Sequence, residues 1–230
     1  MIKNETKKEL SLVLDDILEY IFSDSILSEL VIFKGGTALA KVYNLNRFSK
    51  DIDLSYIGPG YGNITYQIKD FIEGIGLTIT SLSSNTIEFK VGELKSSIDI
   101  SYLRDVIKKN VGQTNLISEN GHRYFVRVME LDEILAEKVR AIVERKEGKD
   151  LWDAYKILER GTTCNLFEVN YKCKHSKEPF SFDKAEFARI INSWTEHRYV
   201  GQMQDFVKKE DIIPLKKLKI KLIEFTLSIH

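Results

Sequence analysis

The run Asp51-Ile52-Asp53-Leu54-Ser55-Tyr56 constrains this chain more than any other feature. Side chains of a strand alternate between its two faces, so Ile52, Leu54 and Tyr56 belong to a core while Asp51, Asp53 and Ser55 share the opposite side. A second run, Ser97 to Tyr102, repeats the pattern: Ile98, Ile100 and Tyr102 point inward, and Asp99 lies with Ser97 and Ser101 on the other face. If the two strands are neighbours, Asp51, Asp53 and Asp99 converge, and three carboxylates on a small patch repel one another unless a hard cation neutralises them. Carboxylate oxygens with open water positions suit Mg²⁺ or Mn²⁺, and a metal held this way serves a substrate phosphate. Asp51, Asp53 and Asp99 are therefore the expected metal ligands.

Upstream lies Leu30-Val31-Ile32-Phe33, rich in β-formers, then Lys34-Gly35-Gly36-Thr37, then Ala38 to Tyr43. The order reads as strand, glycine turn, helix. Gly35 and Gly36 permit close backbone approach, and with Thr37 they offer N–H groups and a hydroxyl to an anion. Phosphate on one side and metal on the other describe a nucleotide site. Further strands are expected at Thr86 to Val91 and Ser97 to Tyr102, joined through Gly92-Glu93-Leu94-Lys95, and at Tyr124 to Val128. Amphipathic helices are expected at Leu10 to Phe22 and around Tyr66 to Gly74.

From Leu131 the hydrophobic period changes from two to about 3.6, with Leu131, Ile134, Leu135, Val139, Ile142 and Val143 on one stripe. The expected organisation is a sheet-bearing half, residues 1–128, followed by a mainly helical region, residues 129–230, that completes the active site. Asp150 follows Gly148-Lys149 and reads as a cap of the next helix, while Trp152 and Tyr155 read as core. Residues 161–179 are polar and carry no clear pattern. Helices follow around Asp183 to Trp194 and Leu215 to Leu227.

Lysine plus arginine (34) equals aspartate plus glutamate (34) in the 230 residues, so no bulk field draws the chain to a polyanion, which must be held locally. The lysines at 208, 209, 216, 217, 219 and 221 form either a solvated helix face or an RNA-backbone contact. Asp15, Asp16 and Glu19 interrupt the first apolar stretch, so no targeting signal or membrane span is expected there. Cys164 and Cys173 match no disulfide framework or paired metal-ligand spacing and read as ordinary thiols of a cytoplasmic protein.

Lys34-Gly35-Gly36-Thr37-Ala38-Leu39 followed by Arg47-Phe48-Ser49-Lys50-Asp51-Ile52-Asp53-Leu54 resembles the signature of the AbiEii/AbiGii toxin family, within the polymerase-β-like nucleotidyltransferase superfamily. Glu133 to Ala141 and Arg145 to Asp153 resemble that family's later lysine-containing helix and its Arg/Lys-Asp-x-x-Asp segment. The resemblance covers roughly residues 30–158 and implies an α+β fold in which a small mixed sheet is flanked by helices. It also implies a toxin of a bacterial toxin–antitoxin or phage-defence (abortive infection) system that transfers NMP from an NTP to an acceptor such as a tRNA 3′ end. A cognate antitoxin protein is the implied partner. By position, Gly35, Gly36, Thr37 and Lys138 would bind the nucleotide, and Asp51, Asp53, Asp99, Lys138 and Asp150 would be catalytic. The family pattern often has arginine where Lys149 stands, which exchanges a fork for a point charge.

Each later position has a plainer reading: Lys138 as a charge on an exposed helix side, Asp150 as a cap, Asp153 as a partner of Lys149 or Lys156. Two other functions stay open on sequence alone, a protein-nucleotidylating enzyme and a catalytically silent binding module on the same fold.

Overall fold

The computed structural model describes residues 4–59, 63–102, 105–107 and 113–230. The chain divides into two compact units, Met1–Met129 and Glu130–His230.

In the first unit a long helix α1 (Asn4–Ser23) and a single-turn helix α2 (Leu27–Leu30) precede strand β1 (Val31–Lys34). The chain continues through α3 (Gly35–Lys41), β2 (Ile52–Tyr56), α4 (Ile64–Gly74), β3 (Ile79–Leu82), β4 (Thr86–Val91) and β5 (Leu94–Ser101). These strands form one sheet in the order β1-β2-β5-β4-β3, with β2 and β5 parallel and the other neighbours antiparallel. β6 (Gln113–Ile117) and β7 (Arg123–Arg127) form a separate antiparallel pair. Just beyond β7, the Met129 amide donates to the Phe33 carbonyl (2.9 Å).

The alternation expected of the two acidic strands is present. Ile52, Leu54, Ile98 and Ile100 are buried in a core with Ile87 and Phe89 of β4, Leu10, Leu14 and Ile17 of α1, and Ile68 and Ile72 of α4. Truncating such a buried residue, Ile98→Ala for instance, costs about 2–5 kcal/mol. The opposite face keeps Asp53, Ser97, Asp99 and Ser101 half-exposed. α1 is also tied to α3 by the Lys41–Asp15 ion pair (2.7 Å).

Several details depart from the sequence reading. β5 begins at Leu94 rather than Ser97, because Val91 pairs directly with Leu94 and only Gly92-Glu93 turn the chain. Gly92 has φ +56°, a value that suits the first position of such a two-residue turn. Asp51 precedes β2, and Tyr102 follows β5. β3 and β6 were not anticipated: β3 is an outer strand with three of four residues exposed, so it has no buried alternation to read.

The second unit is helical: α5 (Leu131–Arg145), α6 (Gly148–Glu159), α7 (Leu166–Lys174), α8 (Lys184–Ser193), α9 (Glu196–Met203) and α10 (Leu215–Ser228), with a 3₁₀ turn at Lys209–Asp211. Lys146, at φ +53°, ends α5 in the left-handed conformation. Trp152, Tyr155 and Tyr199 are fully buried, as expected for the first two. α7 occupies the segment that showed no pattern, and a capping box starts it: Asn165 accepts from the Glu168 amide while Glu168 accepts from the Asn165 amide, both at 2.9 Å. Asp150 is not a cap; it lies inside α6 and is fully buried. Among the described residues no helix is long and apolar enough to cross a membrane.

Candidate functional site

The parallel pairing of β2 with β5 sets Asp53 directly beside Asp99. Asp51, one alternation step before Asp53, is held from β5: its Oδ1 accepts from the Ser97 amide (3.0 Å) and lies 3.2 Å from the Ser97 hydroxyl. That hydroxyl is also 2.8 Å from Asp99 Oδ2, and its single proton serves one carboxylate at a time. Asp99 Oδ1 accepts from Thr86 (2.8 Å). Asp51 and Asp99 thus take hydrogen bonds from neutral hydroxyls and one amide.

The glycine turn meets this acidic face directly. Gly35 has φ +72°, and a Cβ placed there would stand 2.0 Å from Asp53 Oδ2. Only glycine fits, on conformation and on space. Thr37, expected to offer its hydroxyl to an anion, instead donates it to the Asp51 carbonyl and ties α3 to the approach of β2. At Gly36 the space of a Cβ is taken by Arg47, whose Nη2 would be 2.1 Å away, with Ser49 Oγ at 3.0 Å.

Lys34, Arg47 and Asp105 are residues of this region that the sequence reading did not select. Lys34 is the cross-strand partner of Asp53, and its ammonium lies 2.6 Å from Asp105 Oδ2. Asp105 Oδ1 accepts from Ser55 (3.1 Å), so β1, β2 and the segment after β5 share one buried network. Lys34 and Arg47 stood inside the quoted motifs and offered a signal; Asp105 offered none.

Among the described residues no group of three or more His, Cys, Asp or Glu is arranged to hold a metal ion. The donor chemistry of Asp51 and Asp53 nevertheless fits a hard cation. Mg²⁺ needs only one or two carboxylates when substrate phosphates and waters fill the remaining octahedral positions.

In the second unit Lys138 and Asp150 belong to a buried ionic cluster. Lys138 Nζ is 3.0 Å from Asp150 Oδ1 and 2.7 Å from Asp153 Oδ2, and Arg145 Nη2 is 2.9 Å from Asp150 Oδ1. Lys138 is therefore not an exposed charge on its helix, and Asp153 pairs with Lys138 rather than being confined to Lys149 or Lys156. Asp150 Oδ2 is buried and accepts no hydrogen bond among the described residues. Nearby in the same unit Lys172 Nζ bridges Glu133 (2.7 Å) and Glu137 (3.4 Å), all three buried. Cys164 and Cys173 are free, and burial pushes the Cys173 thiol up to about 12 and Cys164 higher still. The lysines at 216 and 217 are exposed, whereas Lys219 donates to the Asn192 and Trp194 carbonyls (both 2.8 Å).

A family model described as nucleotidyl transferase AbiEii toxin, type IV toxin–antitoxin system, matches residues 16–212. The fold is similar to that of MenT4, a nucleotidyltransferase toxin from Mycobacterium tuberculosis H37Rv, with a TM-score of 0.69 at 16% identity over 99% of this chain and 87% of that one. It is also similar to JHP933 from Helicobacter pylori, with a TM-score of 0.57 at 16% identity over 100% and 94% of the respective chains. At these identities the likeness is one of fold. No curated protein sequence matches the chain.

Proposed function

The chain belongs to the AbiEii family of nucleotidyltransferase toxins of type IV toxin–antitoxin systems, and from that premise we propose that it transfers NMP from an NTP to the 3′ end of an RNA such as tRNA. The observation that carries the reading is the meeting of Gly35 with Asp53: the bend suited to a triphosphate and the carboxylates suited to its counter-ion occupy one spot.

In this reading the backbone of Gly35 and Gly36 binds the triphosphate, and Asp51 and Asp53 hold the divalent cation with Asp99 beside them. Bound there, Mg²⁺ or Mn²⁺ supplies neutralisation of the phosphate oxygens and of the charge that develops on them. Thr37 fixes the Asp51 backbone, and Ser97 and Thr86 orient the carboxylates of Asp51 and Asp99. The acceptor hydroxyl oxygen bonds to the α-phosphorus as its proton passes to solvent, the bond from that phosphorus to the bridging oxygen breaks, and pyrophosphate leaves with the electron pair.

Lys138 and Asp150 enter as the later positions of the family pattern, Lys138 as a nucleotide-binding and catalytic cation and Asp150 as a catalytic carboxylate. The unsatisfied Asp150 Oδ2 supports that assignment, because a buried carboxylate oxygen with no partner is costly unless a ligand uses it. A cytoplasmic site of action, a cognate antitoxin that binds this chain, and a role in phage defence complete the proposal.

The test is incubation with each α-³²P-labelled NTP, MgCl₂ and total RNA, with a parallel mixture of cellular proteins as acceptor. Label at RNA 3′ ends that disappears in Asp53→Ala supports the reading. Label on protein alone, or label undiminished by Asp53→Ala, overturns it.

A further inference from the structure

We infer that Lys50, Lys90 and Lys95 form a docking strip for the phosphate backbone of the RNA acceptor, beside the acidic residues of the sheet; the inference rests on the nucleotidyl-transfer reading above. Along β5 the residues alternate, with Ser96, Ile98 and Ile100 buried, so Lys95, Ser97 and Asp99 share the open face. β4 does the same: Ile87, Phe89 and Val91 are buried, and Thr86, Glu88 and Lys90 lie outward. The antiparallel register sets Lys90 directly opposite Lys95. Like charges in that position oppose strand pairing, where an acidic partner would support it. Both lysines are exposed, and among the described residues neither forms an ion pair.

A third ammonium is brought to the same place. Ser96 donates its hydroxyl to the Lys50 carbonyl (2.5 Å), and Lys50 Nζ donates to the Lys95 carbonyl (3.2 Å), a neutral partner that leaves the lysine charge uncompensated. The three lysines thus gather at the turn end of the β4–β5 pair, and Lys95 lies four strand residues, about 13 Å, from Asp99 on one face. The acidic side chains nearest the pair in the register are Glu88, opposite Ser97, and Glu93 in the turn, so the strip keeps a net positive charge. The chain as a whole is neutral, with 34 basic and 34 acidic residues, and has no general attraction for RNA. Asp51, Asp53 and Asp99 repel an approaching polyanion, and the strip beside them supplies the opposite field. An RNA whose 3′ hydroxyl stands at the carboxylates can lay its preceding phosphates along β5 over the ammonium groups. Lysines, as point charges on flexible stems, suit a backbone contact that reads no base.

The test measures fluorescence anisotropy of fluorescein-labelled total tRNA with the full chain over a KCl series, and the KM values for tRNA and for NTP in label transfer. The double variant Lys90→Gln/Lys95→Gln is expected to lower the slope of log affinity against log salt by about 1.5, and the affinity about 30-fold in about 0.1 M KCl, as two phosphate contacts are lost. The KM for tRNA rises with it, and the KM for NTP stays at the wild-type value. Adding Lys50→Gln is expected to lower the slope by about a further 0.7. Lys90→Arg/Lys95→Arg, which keeps both charges, is expected to bind tRNA as the wild type does. Lys174→Gln/Lys177→Gln, which removes two exposed charges from the helical unit, serves as the control of equal charge. Wild-type affinity and slope in Lys90→Gln/Lys95→Gln overturn the inference. So does an equal loss in the control, which would reflect net charge alone. Failure of the parent reading looks different: the wild-type chain then transfers label to no RNA.

Discussion

The two units each contain a cluster of charges, and the clusters are built on opposite rules. On the strand face of the first unit, Asp51 and Asp99 are half-exposed and held by the Ser97 amide and by the hydroxyls of Ser97 and Thr86. In the helical unit, Lys138, Asp150, Asp153, Lys172 and Glu133 are buried and neutralise one another at 2.7–3.0 Å. Like charges left together and wet gain nothing for folding and are suited to a ligand of opposite charge. Opposite charges sealed together bind helix to helix, and their removal leaves an uncompensated ion in a medium that cannot solvate it. The strand face is therefore expected to govern activity and the helical cluster to govern stability, with Lys138 and Asp150 belonging to both.

The sharpest break would come from Lys172. Lys172→Ala strands Glu133 and Glu137 and is expected to cost about 3–5 kcal/mol in urea denaturation, a large share of a domain's usual 5–15 kcal/mol. A loss under 1 kcal/mol would show that the buried cluster is not what holds α5 to α7. Asp53→Asn should do the reverse. Nucleotidyl transfer falls about 10²- to 10³-fold, as when an electrostatic contact to a reacting group is removed, while the melting temperature changes far less than in Lys172→Ala. Gly35→Ala couples the two readouts. The left-handed φ costs a non-glycine residue about 1–2 kcal/mol, and the new methyl displaces Asp53, so stability and transfer fall together.

Acid titration gives a smaller effect. Burial raises the Glu159 carboxyl, but hydrogen bonds from Lys156 (2.6 Å) and Tyr155 (2.7 Å) outweigh it and bring it from 4.5 down to about 2. A depressed carboxylate stabilises the fold above its unfolded value and loses that contribution as pH falls from about 4.5 toward 2. Glu159→Gln is accordingly expected to flatten the fall of melting temperature between pH 5 and pH 3, and a curve parallel to wild type would contradict the pairing. The smallest expected signal is at the thiols. With both held high by burial, neither cysteine should react with a thiol reagent at pH 7.5 until the chain is unfolded.

What could be read in advance divides along the same physical line. β2 and β5 were legible because one face is buried and the other polar, so the two-residue period is written in Ile52, Asp53, Leu54 and in Ile98, Asp99, Ile100. α5 was legible from its apolar stripe. β3 was not, since an exposed outer strand buries too little to impose a period. α7 had a readable start in Asn165 and Glu168 but only a weak stripe behind it. The glycine bend was legible as a bend, yet its occupants were not: that Gly35 faces Asp53 and Gly36 faces Arg47 depends on how the 42–51 loop folds back. Lys138 and Asp153 illustrate the harder limit. A charge at helical spacing looks solvated until the partner helix that buries it is known.

The most direct measurement is label transfer from α-³²P-NTP to RNA by wild-type protein and by Asp53→Asn, each with its melting temperature. The expected result is transfer by the wild type and a loss of two or more orders of magnitude in Asp53→Asn, with a cooperative melting transition retained. Transfer by Asp53→Asn at the wild-type rate, with the fold intact, would contradict the central claim that the carboxylates beside the glycine bend serve the nucleotide.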